Sequence, residues 1–300
     1  MNKFLVCAFA AFVLHSGCKS RQIAMNQNPQ FPKFDTEGHR GARGLMPENT
    51  IPAMYKAIDV GVTTIEMDAQ VTKDNKVILA HDPHMNPAFA LDPEGKEIPK
   101  KDGKKYAVYR MTYNELLKFD VGSKFFDKFP QQKKMKVHIP LLVDLIDSVQ
   151  NYLKVNNKPQ VFYNIETKSK VGTENLLHPE PEKFVKLLMD VIESKKITPY
   201  VIIQSFDHRT LQVLHRKYPH VKTSFLTDKN TVSENLKVLG FTPDIYSPNH
   251  KQVTAEMVKE CHEKNMKVIP WTANTSEEIN HLKALGVDGI ISDYPNLFNQ

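Results

Sequence analysis

The stretch YVIIQSFDHRTLQVLHRKYPHVKTSFLT, residues 200–227, decides the fold. A β-rich run at 200–205 is followed by a segment of helical period at 207–217 and by a second β-rich run at 222–227. Strand, crossover helix and parallel strand form the unit from which helix-covered parallel sheets are assembled. The same rhythm continues outward in both directions. Toward the C-terminus, β-rich runs at 244–247, 267–272 and 289–293 alternate with helical segments at 231–239, 254–265 and 276–285. Toward the N-terminus, further runs end at 166, at 68 and near His39, with helical segments at 181–195 and 52–60. Eight strands in β-α repeats predict an α/β protein of the TIM (β/α)8 barrel class. A ninth apolar run, 76–80, follows the turn-like Lys73-Asp74-Asn75 too closely for a crossover helix, and is expected to fold back as a hairpin arm.

Composition agrees with one large core. Of 300 residues 41% are hydrophobic and 25% charged, which excludes a small disulfide scaffold and wholesale disorder alike. The net charge of +6 is unevenly spread: residues 96–136 hold twelve Lys or Arg against five Asp or Glu, so the rest of the chain is slightly acidic. A partner therefore meets one basic patch and not a basic protein.

The first residues read as an address. Lys3 precedes an apolar run at 4–14 and then His15-Ser16-Gly17-Cys18, the three parts of a secretory signal, too short to span a bilayer. Residues 1–17 are read as signal, and Ser-Gly-Cys resembles a bacterial lipobox in which Cys18 becomes the lipid-bearing first residue. The Leu usual three places before that Cys is His15 here, so an ordinary cleaved signal is the alternative. Residues 18–34 are polar and Gln/Asn-rich, as suits a tether ahead of a domain at 35–300. Export to the periplasm, or to the outer membrane as an anchored lipoprotein, is expected. With Cys7 in the signal and Cys18 acylated, Cys261 has no disulfide partner; beside Glu260 and Glu263 it is expected to be buried or inert.

His39, Glu66 with Asp68, Glu166 with Lys168, Gln204, Trp271 and Asp293 all fall at or just after strand C-termini, where barrel active sites are built. Glu66 and Asp68, two apart on a strand, share a face. Two such carboxylates repel unless a cation or proton sits between them. Alone, that pair would read as solvated or salt-bridged. Its company is more specific: His39-Arg40-Gly41 with Pro47-Glu48-Asn49-Thr50, Ile65-Glu66-Met67-Asp68, His81-Asp82, Glu166-Thr167-Lys168, Trp271-Thr272 and Ser292-Asp293-Tyr294-Pro295. These motifs, in this order from residue 39 to 295, resemble the glycerophosphodiester phosphodiesterases. The resemblance implies a metal-dependent TIM barrel that hydrolyses glycerophosphodiesters to glycerol 3-phosphate and an alcohol.

The residues suit that chemistry. Glu66, Asp68 and Glu166 offer hard oxygens to a divalent metal, Ca²⁺ or Mg²⁺. His39 and His81 can exchange protons near neutral pH as general acid and base, with the order open. Arg40 can grip phosphoryl oxygens in a fork and Lys168 adds a point charge. Glu48 and Asn49 are expected to brace the loop before the helix at Pro52, with Glu48 a marginal ligand candidate. Asp293 is expected to fix a loop, and Gln204 to meet either the substrate or the next strand. Trp271 is either barrel core or a wall of the substrate pocket. Water and the substrate's own glycerol 2-hydroxyl are both open as nucleophile. Residues 83–136, an insertion after the arm, carry Phe89, Tyr106, Tyr109, Tyr113, Phe119, Phe125, Phe126 and Phe129 among lysines. They form either a specificity surface drawing anionic substrate or lipid, or a solvated cap with a small core of its own. A nucleic-acid partner is not expected of a tethered, exported chain, and the sequence fixes no oligomeric state. Two rival functions share the barrel: cleavage of intact phospholipid, and phosphate-ligand binding without turnover.

Overall fold

The computed structural model describes residues 29–299. The expected signal, Cys18 and residues 18–28 of the expected tether lie outside them.

Eight parallel strands run β1 (Asp35–Gly38), β2 (Thr64–Val71), β4 (Phe162–Thr167), β5 (Val201–Ser205), β6 (Lys222–Thr227), β7 (Ile245–Pro248), β8 (Lys267–Val268) and β9 (Gly289–Ser292). Their spatial order is β8-β7-β6-β5-β4-β2-β1-β9. Between β8 and β9, backbone hydrogen bonds from Asp288 N to Val268 O (2.9 Å) and from Ile291 N to Pro270 O (3.0 Å) bring the ring round to its start. The eight-strand barrel read from the β-α rhythm is the fold observed. β8 is shorter than the expected 267–272, because beyond Val268 the chain continues in single hydrogen bonds and not a ladder. β3 (Val77–Leu79) pairs antiparallel with β2, Ala69 opposite Leu79, which is the expected hairpin arm.

Most of the helices begin where side chains cap them. Thr50 stands before α1 (Ile51–Asp59) with Pro52 in the first turn, and its hydroxyl accepts from Ala53 N at 3.4 Å. Thr231 with Glu234 and Thr275 with Glu278 form capping boxes at α6 (Val232–Leu239) and α8 (Ser276–Ala284). Asp207 and Thr254 cap α5 (His208–Lys217) and α7 (Ala255–Glu263). Along α4 (Pro181–Ser194), Phe184, Val185, Leu188, Met189 and Ile192 fall on one face and are buried against the sheet. α3 (Leu142–Val155), the crossover from arm to β4, is absent from the sequence reading, although Leu142, Leu145, Ile146, Val149 and Leu153 are its buried stripe. It starts with neither a side-chain cap nor a first-turn proline, one or both of which mark the other helices.

The barrel interior is divided. Ile202, Ile245, Ile269 and Ile291 fill one side, while Glu37, Asn164, Gln204 and Glu66 run as a polar column up the other. The inserted segment, which includes α2 (Tyr113–Leu116), has its own apolar cluster of Met85, Ile98, Val108, Leu116, Phe119 and Val121. Its aromatics pack mainly on one another: Tyr106 on Phe119 (5.1 Å) and Phe126 on both Phe89 (5.3 Å) and Phe129 (5.4 Å). The segment has the small core of its own that one of its two readings expected. Cys261 is buried, and burial aided by Glu260 pushes its thiol up to about 12.

Candidate active site

The site begins with the turn after β1. Arg40 (φ +50°) and Gly41 (φ +82°) adopt left-handed backbone. A Cβ on Gly41 would lie 2.6 Å from the Ala53 carbonyl carbon, so only glycine lets this turn press onto α1. The turn aims the Arg40 amide at Glu66 Oε2 (2.7 Å) and sets His39 at the barrel mouth.

Glu66 and Asp68 project from β2 and Glu166 from β4, at the C-terminal end of the barrel. One oxygen from each lies within 4.8 Å of the others, and all three residues are buried. Each is held. Gln204 Nε2 donates to Glu66 Oε1 (2.7 Å), Asn49 Nδ2 to Asp68 Oδ2 (2.8 Å) and Lys168 Nζ to Glu166 Oε1 (2.8 Å). Arg40 Nε is 3.2 Å from Asp68 and Lys168 Nζ 3.7 Å from it.

Three clustered carboxylates have two cations, Arg40 and Lys168, against them. Burial, then the Asp68 charge, pushes Glu66 well above the usual carboxylate range. Burial and Asp68 also raise Glu166 against the pull of Lys168. Burial works against the Asp68 charge as well, yet Arg40, with His81 and Lys168 behind it, holds that carboxyl far below its usual value. Asp68 Oδ1 is buried without a hydrogen-bond partner. Two reluctant acids and one unpartnered ionised oxygen fit a hard cation bound by oxygen.

Two imidazoles flank this cluster, and each is tied by an aspartate. His39 Nδ1 meets Asp293 Oδ1 at 2.5 Å, which leaves Nε2 facing inward, 4.0 Å from Glu66. His81 Nδ1 meets Asp82 Oδ1 at 2.9 Å. Burial lowers His39, and the Asp293 charge opposes that. Asp293 is itself pressed upward by burial but held low by His39 and Arg43. Its other oxygen accepts from Asn274 Nδ2 (2.8 Å). The expected loop brace is therefore also a histidine brace.

A cavity of about 220 Å³ lies in front of these groups, lined by His39, Arg40, Glu66, His81, Glu166 and Lys168. Every site residue read from the sequence borders it or, like Asp68, sits just behind. Trp271 is one of its walls, edge-on to Phe206 with its indole N–H donating to Ser247 O (3.1 Å). Glu48 stands behind Arg40, accepting from Arg40 Nη1 (2.7 Å) and Arg43 Nε (2.6 Å), outside the three-carboxylate cluster. Arg43, Asn274 and Lys128 are neighbours of the site absent from the sequence reading. The step from Arg40 to Arg43, one turn along, is the only local signal for any of them.

Residues 39–297 match the family described as the glycerophosphoryl diester phosphodiesterase family. The chain belongs to that family. A glycerophosphodiester phosphodiesterase of Bacillus altitudinis is 30% identical over 260 residues, spanning 86% of this chain and 94% of the relative. Among solved structures, a proposed glycerophosphoryl diester phosphodiesterase of Silicibacter pomeroyi superposes with a TM-score of 0.78 at 27% identity, covering 91% of this chain and 96% of that one. An Oleispira antarctica phosphodiesterase in complex with the product sn-glycerol-3-phosphate shares the fold, with a TM-score of 0.68 at 19% identity over 90% of this chain and 97% of that one. Membership makes this chain an enzyme of the phosphodiesterase class, and the resemblance carried by the strand-end motifs is a true one.

Proposed function

We propose that this enzyme hydrolyses glycerophosphodiesters to glycerol 3-phosphate and an alcohol, with a divalent cation, Ca²⁺ or Mg²⁺, held by Glu66, Asp68 and Glu166. The observation that carries the reading is the pairing of those three carboxylates with two imidazoles whose Nδ1 atoms are already tied to aspartates. A bound cation would neutralise charge on the phosphoryl oxygens. Lys168, beside the carboxylates, adds positive charge for the diester anion, and Arg40 holds the carboxylates in place while presenting its remaining N–H groups toward the cavity.

With Nδ1–H donated to an aspartate, Nε2 of each histidine is the atom left to exchange a proton with substrate. One imidazole, neutral, takes the proton of the attacking hydroxyl. The other, protonated, gives its proton to the leaving oxygen as the bond from phosphorus to that oxygen breaks. The paired aspartates stabilise whichever ring is charged. Export and a lipid anchor at Cys18 belong to the same reading and rest on the sequence of residues 1–33.

The test is release of glycerol 3-phosphate from a panel of soluble glycerophosphodiesters, before and after chelation and with Mg²⁺ or Ca²⁺ restored. Release that chelation abolishes and the ion restores is expected. No release with either ion supplied sinks the activity; release unaffected by exhaustive chelation sinks the role of the three carboxylates.

A further inference from the structure

Beside the catalytic cavity lies a second one of about 410 Å³, and the two share Arg43, Lys128, Trp271 and Thr272 as walls. The annex adjoins the site across those walls and has a different character. Arg43, Lys128 and Lys251 face it with positive charge, and its single carboxylate, Asp293, is already engaged by His39, Asn274 and Arg43. Lys128 and Lys251 pair with no carboxylate among the described residues, and both are exposed to whatever enters.

The aromatic walls do not make a cage for a cationic headgroup. The Arg43 guanidinium carbon lies 4.5 Å and Lys128 Nζ 5.5 Å from the centre of the Phe129 ring, so the protein's own cations occupy that ring. Tyr294 is tilted against Phe129 at 6.2 Å, and Trp271 meets Phe206 edge-on. A choline group placed here would meet three like charges and no free acid. An anionic group would meet two lysines without partners.

Every glycerophosphodiester shares its glycerol phosphate and differs in its alcohol. The shared part belongs beside the carboxylates, and the variable part belongs in the wider annex. We propose that the annex receives the alcohol, and that this enzyme prefers glycerophosphodiesters whose alcohol carries a negative charge of its own, such as a second phosphate, over those ending in choline. The inference rests on the phosphodiesterase reading above. It also gives the basic patch of the sequence a use, since Lys128 is part of it and reaches the path of the substrate.

The experiment compares kcat/KM for 1,3-bis(glycerophospho)glycerol and for glycerophosphocholine, in the wild type and in the double variant Lys128→Gln, Lys251→Gln. The wild type is expected to favour the doubly charged diester by about tenfold, and the variant to lose most of that ratio, as about 0.5 M salt also does. Equal or reversed preference in the wild type, or a ratio that the double substitution leaves unchanged, overturns the proposal. Calorimetric binding of the same two compounds reads the preference without turnover. If neither compound is hydrolysed with Mg²⁺ or Ca²⁺ supplied, the phosphodiesterase reading fails, and the binding ratio still decides the annex in the same two ways.

Discussion

Two groups of carboxylates are buried in this barrel, and their surroundings differ in kind. At the C-terminal rim, Glu66, Asp68 and Glu166 have Arg40 and Lys168 against them and a cavity in front. At the base, Asp35 and Glu37 of β1 have mostly neutral company. Thr63 and Thr64 each donate a hydroxyl to Asp35 Oδ1 at 2.6 Å, and Asn164 reaches across the interior to Glu37 Oε2 at 2.7 Å. Burial raises both acids, and the charge of Asp35 pushes Glu37 higher still; Lys267 is the weakest influence on Asp35. Asp35 Oδ2 and Glu37 Oε1 are buried with no donor from any other residue, and the two carboxyls hydrogen-bond to one another. At the rim fixed cations hold Asp68 ionised beside two carboxyls that burial raises, whereas at the base burial raises both acids with little positive charge to oppose it.

The largest test of this contrast is at the rim. Glu66→Gln keeps the shape and the bond from Gln204 but removes the charge, and should lower turnover by about a thousandfold while the protein stays folded. The same variant should lose the rise in melting temperature that saturating Mg²⁺ or Ca²⁺ gives the wild type. Turnover within tenfold of wild type, measured with the ion supplied, would break the distinction between the two groups.

A smaller effect separates the two histidines. Asp293 and its partner His39 are nearly enclosed, whereas His81 and Asp82 are each about one-third exposed at the mouth. Asp293→Asn should therefore cost about a hundredfold in kcat with little change in KM, since water cannot replace the lost acceptor. Asp82→Asn, where water can enter, should cost about tenfold. Equal losses in the two variants would show that enclosure plays no part.

The rim was legible in the sequence and the base was not, for a physical reason. Glu66, Asp68, Glu166 and His81 sit beside strand ends that hydrophobic periodicity locates, and His39 is marked by the Arg40-Gly41 that follows it, so position, residue type and motif together point to a site. Asp35 and Glu37 lie on a strand only four residues long, too short to show a period, and their partners Thr63, Thr64 and Asn164 are 28 to 127 residues away. Such contacts exist only once the barrel closes. Arg43 and Lys128 were hidden in the same way: Lys128 reads as one more charge on a basic insertion until the cap folds over the mouth. The missing α3 shows the converse, a regular apolar stripe overlooked because neither a cap nor a first-turn proline announces its start.

The base yields the smallest effect and the cleanest sign. An acid whose folded pKa lies above its unfolded one binds more protons in the native state, so stability falls as pH rises from the ordinary carboxylate range toward the folded value. Glu37→Gln fixes the uncharged form and keeps an acceptor for Asn164, so its stability should lack that decline. At pH 4 the variant and wild type should melt together; at pH 8 the variant should melt about 2 °C higher, with turnover within about twofold. Parallel melting curves across that range would mean that Glu37 holds no more protons folded than unfolded. The same chemical change, glutamate to glutamine, would then have opposite consequences at the two levels of one barrel: loss of catalysis where a cation is wanted, and a gain in stability where a proton is.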